Sequence, residues 1–279
     1  MSRGDTPFSS INIYLDGSQA SINNSDSNKV FYLNTPISSP RQDIRLLIAL
    51  TDAQLAYSFY IIREGINDTF KYSIDGGATQ TVTITAGNYS AQTFVNFVSS
   101  AVAAQAGTRG MSYSKTTNKI TFSDSAATTI AIVDGTSCGE EIGAGTTFPV
   151  SKSGTSITFN KMVNFSGLAN VFVRAQTLGL QNRTSKGNID LTLGKIPVTS
   201  APLGFIYLAT HEPTYLSITD TEISKIAIQL QDEDGNDLEL NGITNWSLTL
   251  TVHHEYVRAI KDYENTHGED VKKNDAKAR

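Results

Sequence analysis

A single cysteine, Cys138, in 279 residues excludes an internal disulfide, so no covalent staple within the chain supports its fold. No apolar run reaches the roughly 18 residues that a membrane-spanning helix needs. The opening MSRGDTPF lacks the apolar core of a secretory signal, and folding in a reducing cytoplasm is the simplest expectation. Positive charge is also short: 22 Lys and Arg against 27 Asp and Glu leave a formal charge of -5, which argues against direct nucleic-acid binding. Charged residues make up only 18% of the chain, less than a helical bundle usually carries. Nucleophile motifs are missing too. There is no G-x-S-x-G elbow and no phosphate loop, and Cys138 in TSCGEE has no histidine nearby in sequence. Catalytic, cofactor-binding and metal residues are therefore all expected to be none, and the chain is not expected to be an enzyme.

What the chain does have is alternation. Ile226, Ile228 and Leu230 alternate with Ala227, Gln229 and Gln231, and Trp246, Leu248, Leu250 and Val252 alternate with Ser247, Thr249 and Thr251. A period of two puts one face of each strand in a core and the other toward water, the pattern of an antiparallel sandwich wall. The runs 223–231 and 246–254, with a turn at 232–236, are read as the last strand pair.

Earlier β-rich runs lie at 30–33, 44–50 and 57–63, and later ones at 171–174, 189–193 and 203–208. With the last pair they make eight. Between the third and the fourth lies a block of different character. Runs 70–74 and 80–84 flank Asp75, Gly76 and Gly77, a hairpin turn that accepts positive φ. Ser90 is placed to cap a helix whose Phe94, Phe97, Val98, Ala101 and Val102 recur at spacings of three and four, with Gly107 at its end. Runs 111–114 and 119–122 form a second hairpin around Thr117 and Asn118, and 130–133 and 157–159 read as further strands. No repeat with a period of about 20 to 50 residues is present.

The expected fold class is mainly β: a single eight-stranded antiparallel jelly-roll sandwich with an inserted α+β subdomain. Its expected parts are an N-terminal arm at 1–29, a jelly-roll domain at 30–66 and 167–256, the insertion at 67–166, and a charged C-terminal tail at 257–279. In the arm, only Ile11, Ile13, Tyr14 and Leu15 suggest a short strand. The arm and the tail are expected to be mobile in the free subunit.

Several motifs invite chemistry and have a plainer explanation. His253, His254 and Glu255 are adjacent on a strand, so they point to opposite faces and cannot share one ion unaided, and His211 and His267 are remote. Asp232, Asp234, Asn236, Asp237 and Glu239 resemble a calcium loop, but Gly235 stands fourth from the first aspartate, where an EF-hand needs its glycine sixth. A hairpin turn centred on Asp234 and Gly235 fits better. Arg3, Gly4 and Asp5 spell an adhesion tripeptide with nothing downstream to support it, and the Asn-x-Ser/Thr triplets at Asn67 and Asn245 lack a secretory context. Trp246 lies on an apolar face and reads as core or subunit contact.

The stretch 218–252, ITDTEISKIAIQLQDEDGNDLELNGITNWSLTLTV, resembles the closing segment of the penton, or minor capsid, proteins of virophages, polinton-like viruses and related double-jelly-roll DNA viruses. The family order I-x-I-x-L, D-x-D-G, D-L-N-G and W-S-x-T-L is similar to Ile226 to Leu230, Asp232 to Gly235, Leu238 to Gly242 and Trp246 to Leu250. Two further stretches resemble it, YSFY at 57–60 and TVTITAGNYSAQTFVNFV at 81–98. The chain departs from the pattern at Glu141 to Gly143, where a Leu-Gly pair is usual, and at Ala56, which replaces a proline. The resemblance implies a capsid structural protein that forms the pentameric vertex of an icosahedral virion. It implies no cofactor, and as partners it implies copies of itself and a double-jelly-roll major capsid protein. Assembly in the host cytoplasm and contact of the insertion with a host receptor or glycan are part of that expectation. The alternative is a carbohydrate- or receptor-binding β-sandwich, suggested by the Tyr and Asn content and the Gly/Thr-rich loop at 134–147.

Overall fold

The computed structural model describes residues 10–41, 44–180, 182–183 and 189–256. The tail expected at 257–279, with His267, and the Arg3-Gly4-Asp5 triplet lie outside the described residues. Two compact units emerge, Met1–Ser58 with Asn170–Arg279, and Phe59–Ala169. The chain begins in the first unit with β1 (Ile11–Asp16), β2 (Ile22–Asn23), β3 (Asn28–Ser38) and β4 (Ile44–Ala56). The second unit follows with β5 (Thr69–Ile74), β6 (Gln80–Thr83), helix α1 (Ala91–Gln105), β7 (Arg109–Ser114), β8 (Lys119–Asp124), β9 (Thr129–Ile132), β10 (Val150–Ser153) and β11 (Ser156–Thr158). The chain then returns to the first unit through β12 (Asn170–Ala175), β13 (Asn182–Arg183), β14 (Ile189–Asp190), β15 (Thr192–Pro197), β16 (Phe205–Ala209), β17 (Leu216–Ser217), β18 (Glu222–Gln231) and β19 (Ser247–Tyr256).

Two antiparallel sheets make the first unit. One has the order β1-β19-β4-β16, with β17 also on β4, and the other has the order β15-β12-β18-β3-β2. The alternation read from sequence decides which side chains turn inward: Ile226, Ile228 and Leu230 on β18 and Leu248, Leu250 and Val252 on β19 are all buried. Contact between the sheets is direct. Phe31 of β3 meets Trp246, just ahead of β19, edge to face at 6.0 Å between ring centroids, and the Trp246 indole N–H donates to Asp26 O at 2.9 Å. Gly194 of β15 lies so close to Leu50 of β4 that an added Cβ would come within 2.9 Å of Leu50 Cδ2. On β4 the register against β19 shifts at Thr51, and the inward set passes from Leu46, Ile48 and Leu50 to Ala53 and Leu55. This β-bulge lets one long strand keep a buried face across a change of phase.

Four expectations are corrected here. The runs 223–231 and 246–254 are strands, but they do not pair with each other: β18 belongs to one sheet and β19 to the other. A period of two assigns a strand its faces and leaves its neighbour open. The tight turn at Asp232 leads to a bridge between Gln231 and Asp237, after which the chain crosses to the opposite sheet. The run 57–63 is not a strand. Tyr57, Phe59 and Ile62 are buried without strict alternation, and the backbone N–H groups of Ile61 and Arg63 donate to the side-chain carbonyls of Asn88 and Asn67 in place of a ladder. Within the segment expected to be an arm, β1 pairs along its whole length with β19, Ile11 opposite Val252 through Asp16 opposite Ser247. The expected strand at 189–193 is interrupted at residue 191, and the stronger element is β15, which tolerates Pro197 at its end because it is an edge strand.

The second unit is built locally. Hairpin β5–β6 turns at Asp75 and Gly76, with φ of 53° and 69°, and hairpin β7–β8 turns at Asn118, also at φ 53°. Asp75 ties its turn to β9 by accepting from the backbone N–H of Thr128 and Thr129 at 2.8 and 2.6 Å. Ser90 and Thr93 form a reciprocal capping box at the start of α1. At its other end the cap is Ala106, in extended backbone, and not Gly107. Phe94, Val98 and Val102 of α1 are fully buried, and Phe70, Tyr72 and Phe122 form an aromatic cluster with centroids 4.8 to 5.7 Å apart. Strand β10 had no signal in the sequence reading; its pattern is largely exposed, so no period marks it. Among the described residues no helix is long and apolar enough to cross a membrane.

Candidate functional site

The motifs singled out in the sequence fall into structural roles. His253 Nε2 lies 2.7 Å from the Tyr215 hydroxyl, whereas His254 Nε2 faces Ser38 O at 3.3 Å, so the two neighbours diverge as strand geometry requires. Glu255 pairs with Arg45 across β19 and β4. Asp232 holds its own turn: Oδ1 accepts from the backbone N–H of Asp234 and Asn236 at 3.0 and 2.8 Å, and Oδ2 from the Asn236 side chain at 2.9 Å. Asn67 is buried and bonded, unlike a glycosylation acceptor. Among the described residues no three His, Cys, Asp or Glu side chains gather to hold a metal ion.

Two polar clusters in the second unit have shifted acids. Asp124 is buried, and burial pushes its carboxyl up, yet the Ala126 N–H and the Arg109 guanidinium, at 2.9 Å from each, win and hold it below the ordinary value. Arg109 also donates to the Tyr72 hydroxyl at 3.1 Å, which in turn bonds Gln105. This network links β5, β7, β8 and α1 through a single cation. Glu141 shifts the other way. Burial raises its carboxyl, and the one Asn67 Nδ2–H donor at 2.6 Å offsets this only in part, leaving Oε2 buried without a hydrogen-bond partner. It borders a small polar pocket with Tyr60, Arg63, Asn67 and Asn164. Cys138 is buried, and its thiol is pushed up by burial and then by Glu141, which favours the neutral form.

The first unit instead presents surface. Its large exposed apolar side chains are Tyr14, Ile22, Tyr32, Leu203, Phe205, Tyr207 and Ile243. β1, β2 and β3 carry the first three, β16 with the residues before it the next three, and Ile243 lies in the loop ahead of β19. Leu203 is 90% exposed, Tyr14 76% and Tyr207 62%, values that burial within this unit does not explain. Sequence reading passed over them, although a signal existed. Where Ile13, Leu15 and Ile206 turn inward, Tyr14, Phe205 and Tyr207 occupy the outward phase, which is usually polar.

No protein-family model matches the chain, and no curated protein sequence does. Among solved structures it is similar to the crystal structure of the mavirus penton protein, with a TM-score of 0.51 and 11% identity, over 89% of this chain and 99% of that one. A chain of the Sputnik virophage cryo-EM structure aligns at a TM-score of 0.41 and 12% identity, over 89% of this chain and 98% of that one. The chain shares its overall fold with the mavirus penton protein. At 11% identity the likeness is one of backbone arrangement.

Proposed function

We propose that the protein is a virion structural component that forms the pentameric vertex of an icosahedral capsid and acts by shape and contact, without catalysis. The observation that carries this is the strand order of the first unit: one sheet runs β1-β19-β4-β16 and the other β15-β12-β18-β3, the latter extended at its edge by the two-residue β2, and the strands cross repeatedly from one sheet to the other. That order supports a single eight-stranded jelly roll, with residues 59–169 inserted between β4 and β12. The likeness to the mavirus penton protein in fold agrees with it. A ring of five requires two different complementary sides on each copy, and obligate interfaces of this kind bury on the order of 2,000 Å² or more. A double-jelly-roll major capsid protein is the neighbour this role demands.

Electron micrographs of the purified protein, with its mass measured in solution, test the proposal. Five-fold rings of about five times the 30.1 kDa chain mass are expected, as is binding to purified major capsid protein. A chain that stays monomeric and ignores that partner in every condition overturns it.

A second reading, attachment to a host receptor or glycan through the second unit, draws on the polar pocket bordered by Tyr60, Asn67, Glu141 and Asn164. Aromatic and amide groups together suit a sugar's apolar face and hydroxyls. A glycan array probed with the protein decides it, and absence of any binder sets this reading aside.

A further inference from the structure

We infer that the pocket bordered by Glu141 in the second unit binds a protonated primary amine, with the ammonium head seated on Glu141 Oε2. The inference stands apart from the vertex reading. It also gives the pocket a different chemistry from the glycan reading, and its test separates the two.

The orphaned oxygen is the first argument. A carboxylate only accepts, and it has two oxygens to satisfy. Glu141 Oε1 takes the Asn67 Nδ2–H at 2.6 Å, while Oε2 is buried with no hydrogen-bond partner among the described residues. Asn67 cannot turn to serve it. Its amide is spent in three directions, since Nδ2 also donates to Ile61 O at 2.9 Å and Oδ1 accepts from the Arg63 backbone N–H at 2.7 Å. What Oε2 lacks is a donor, and a buried acceptor left unmet costs stability.

Rigidity is the second argument. The backbone around Glu141 is held against the segment that carries Asn164: the Asn164 N–H donates to Glu141 O at 2.8 Å, and the Lys161 N–H to Gly143 O at 3.0 Å. A Cβ on Gly143 would come within 2.4 Å of Lys161 O, so the two segments leave each other no slack. The loop is thus fixed as a wall of the pocket, and a donor reaches Oε2 by entering it.

Space and charge select the donor. The cavity measures about 70 Å³, and every residue on its border belongs to the second unit. That volume holds a few waters or a small head group. Tyr60, 36% exposed, borders it with Ile61 and Leu168, and together they offer apolar surface to the methylene groups behind an ammonium. Burial raises the Glu141 carboxyl and nearby Glu140 raises it further, whereas Arg63 lowers it least of the groups that act on it. The surroundings therefore favour a cation over an anion or a neutral hydroxyl. An ammonium supplies what a water cannot, a charge-assisted bond together with compensation of a buried charge. Its source is a lysine side chain of another protein or a free small amine.

The test is a titration of the isotope-labelled full chain at neutral pH, read by NMR at the side-chain amides of Asn67 and Asn164. The probes are n-butylammonium chloride and Nα-acetyl-lysine methylamide. Saturable shifts are expected from both, with dissociation constants in the millimolar range that suits one charge-assisted contact. Tighter binding of the lysine analogue assigns a lysine-bearing partner, and equal binding assigns a free amine. Glu141→Gln keeps an acceptor for Asn67 and is expected to weaken binding about tenfold or more. Glu140→Gln, at a residue that does not border the pocket, is expected to change it less than about threefold. An equal response to tetramethylammonium or potassium chloride, an unchanged response in Glu141→Gln, or no saturable response to either amine overturns the inference. A response to methyl glycosides in place of the amines also overturns it and supports the glycan reading. None of these outcomes bears on the vertex reading.

Discussion

In the second unit, strands that are neighbours in space are mostly neighbours in sequence; in the first unit they are mostly far apart. β5 pairs with β6 and β7 with β8 through short turns, whereas β1 pairs with β19 and β3 with β18. The two units are both largely β, yet one closes by local turns and the other closes only when its two distant segments come together. Loop-closure entropy makes the second kind slower to form and more dependent on a few long-range contacts.

The widest expected difference concerns fragments. Residues 59–169 are contiguous and hold their own core, so the isolated fragment is expected to fold cooperatively, which circular dichroism and thermal melting can check. Residues 1–58 or 170–279 alone are expected to stay unfolded, because each carries only part of both sheets. A folded 170–279 fragment would break the comparison.

Next comes Trp246→Ala. The side chain is 2% exposed and bridges the sheets through Phe31 and Asp26, so truncation is expected to cost the first unit about 3 to 5 kcal/mol. Denaturant unfolding monitored separately in each unit should show the loss in the first and little change in the second. Asp124→Ala is the counterpart, leaving Arg109 uncompensated in the second unit at a cost of about 3 kcal/mol.

The smallest effects come from pH, where two acids of the second unit oppose each other. The Asp124 carboxyl is held below its ordinary value, so its stabilisation is present above about pH 4 and is lost as pH falls through the folded value. Glu141 is raised by burial, so stability linked to it is fully present below its ordinary value and is lost as pH rises through the folded value. Glu141→Gln keeps an acceptor for Asn67 and removes the buried charge, and a gain of about 1 kcal/mol at neutral pH is expected in thermal melts. A loss at neutral pH would show that the charge itself is needed.

Legibility followed the same division. The hairpin turns at Asp75 and Asn118 and the cap at Ser90 are local chemistry, and all three stand where the residues put them. In the first unit, position in sequence was a poorer guide: 57–63 is not a strand, β1 is, and the two sheets hold five strands each. The run around Tyr57 has the composition of a strand, while its backbone bonds are scattered over Gly204, Gly87 and the side chains of Asn88 and Asn67 and form no continuous ladder. As for the candidate site, the motif residues hold turns and strand pairs, and the outward aromatics stand in a strand phase that is usually polar.

The alternation in 226–230 and 246–252 determined which side chains enter the core, because successive side chains on any extended strand point to opposite faces. It could not determine that β18 and β19 lie in different sheets, that β4 changes phase at Thr51, or that Tyr14 and Tyr207 end on opposite rims of one face. Those are choices of neighbour, and any strand of the right phase can serve as one. They are made by closing two sheets around a single core, where Trp246 packs edge to face on Phe31 and Leu50 lies against Gly194.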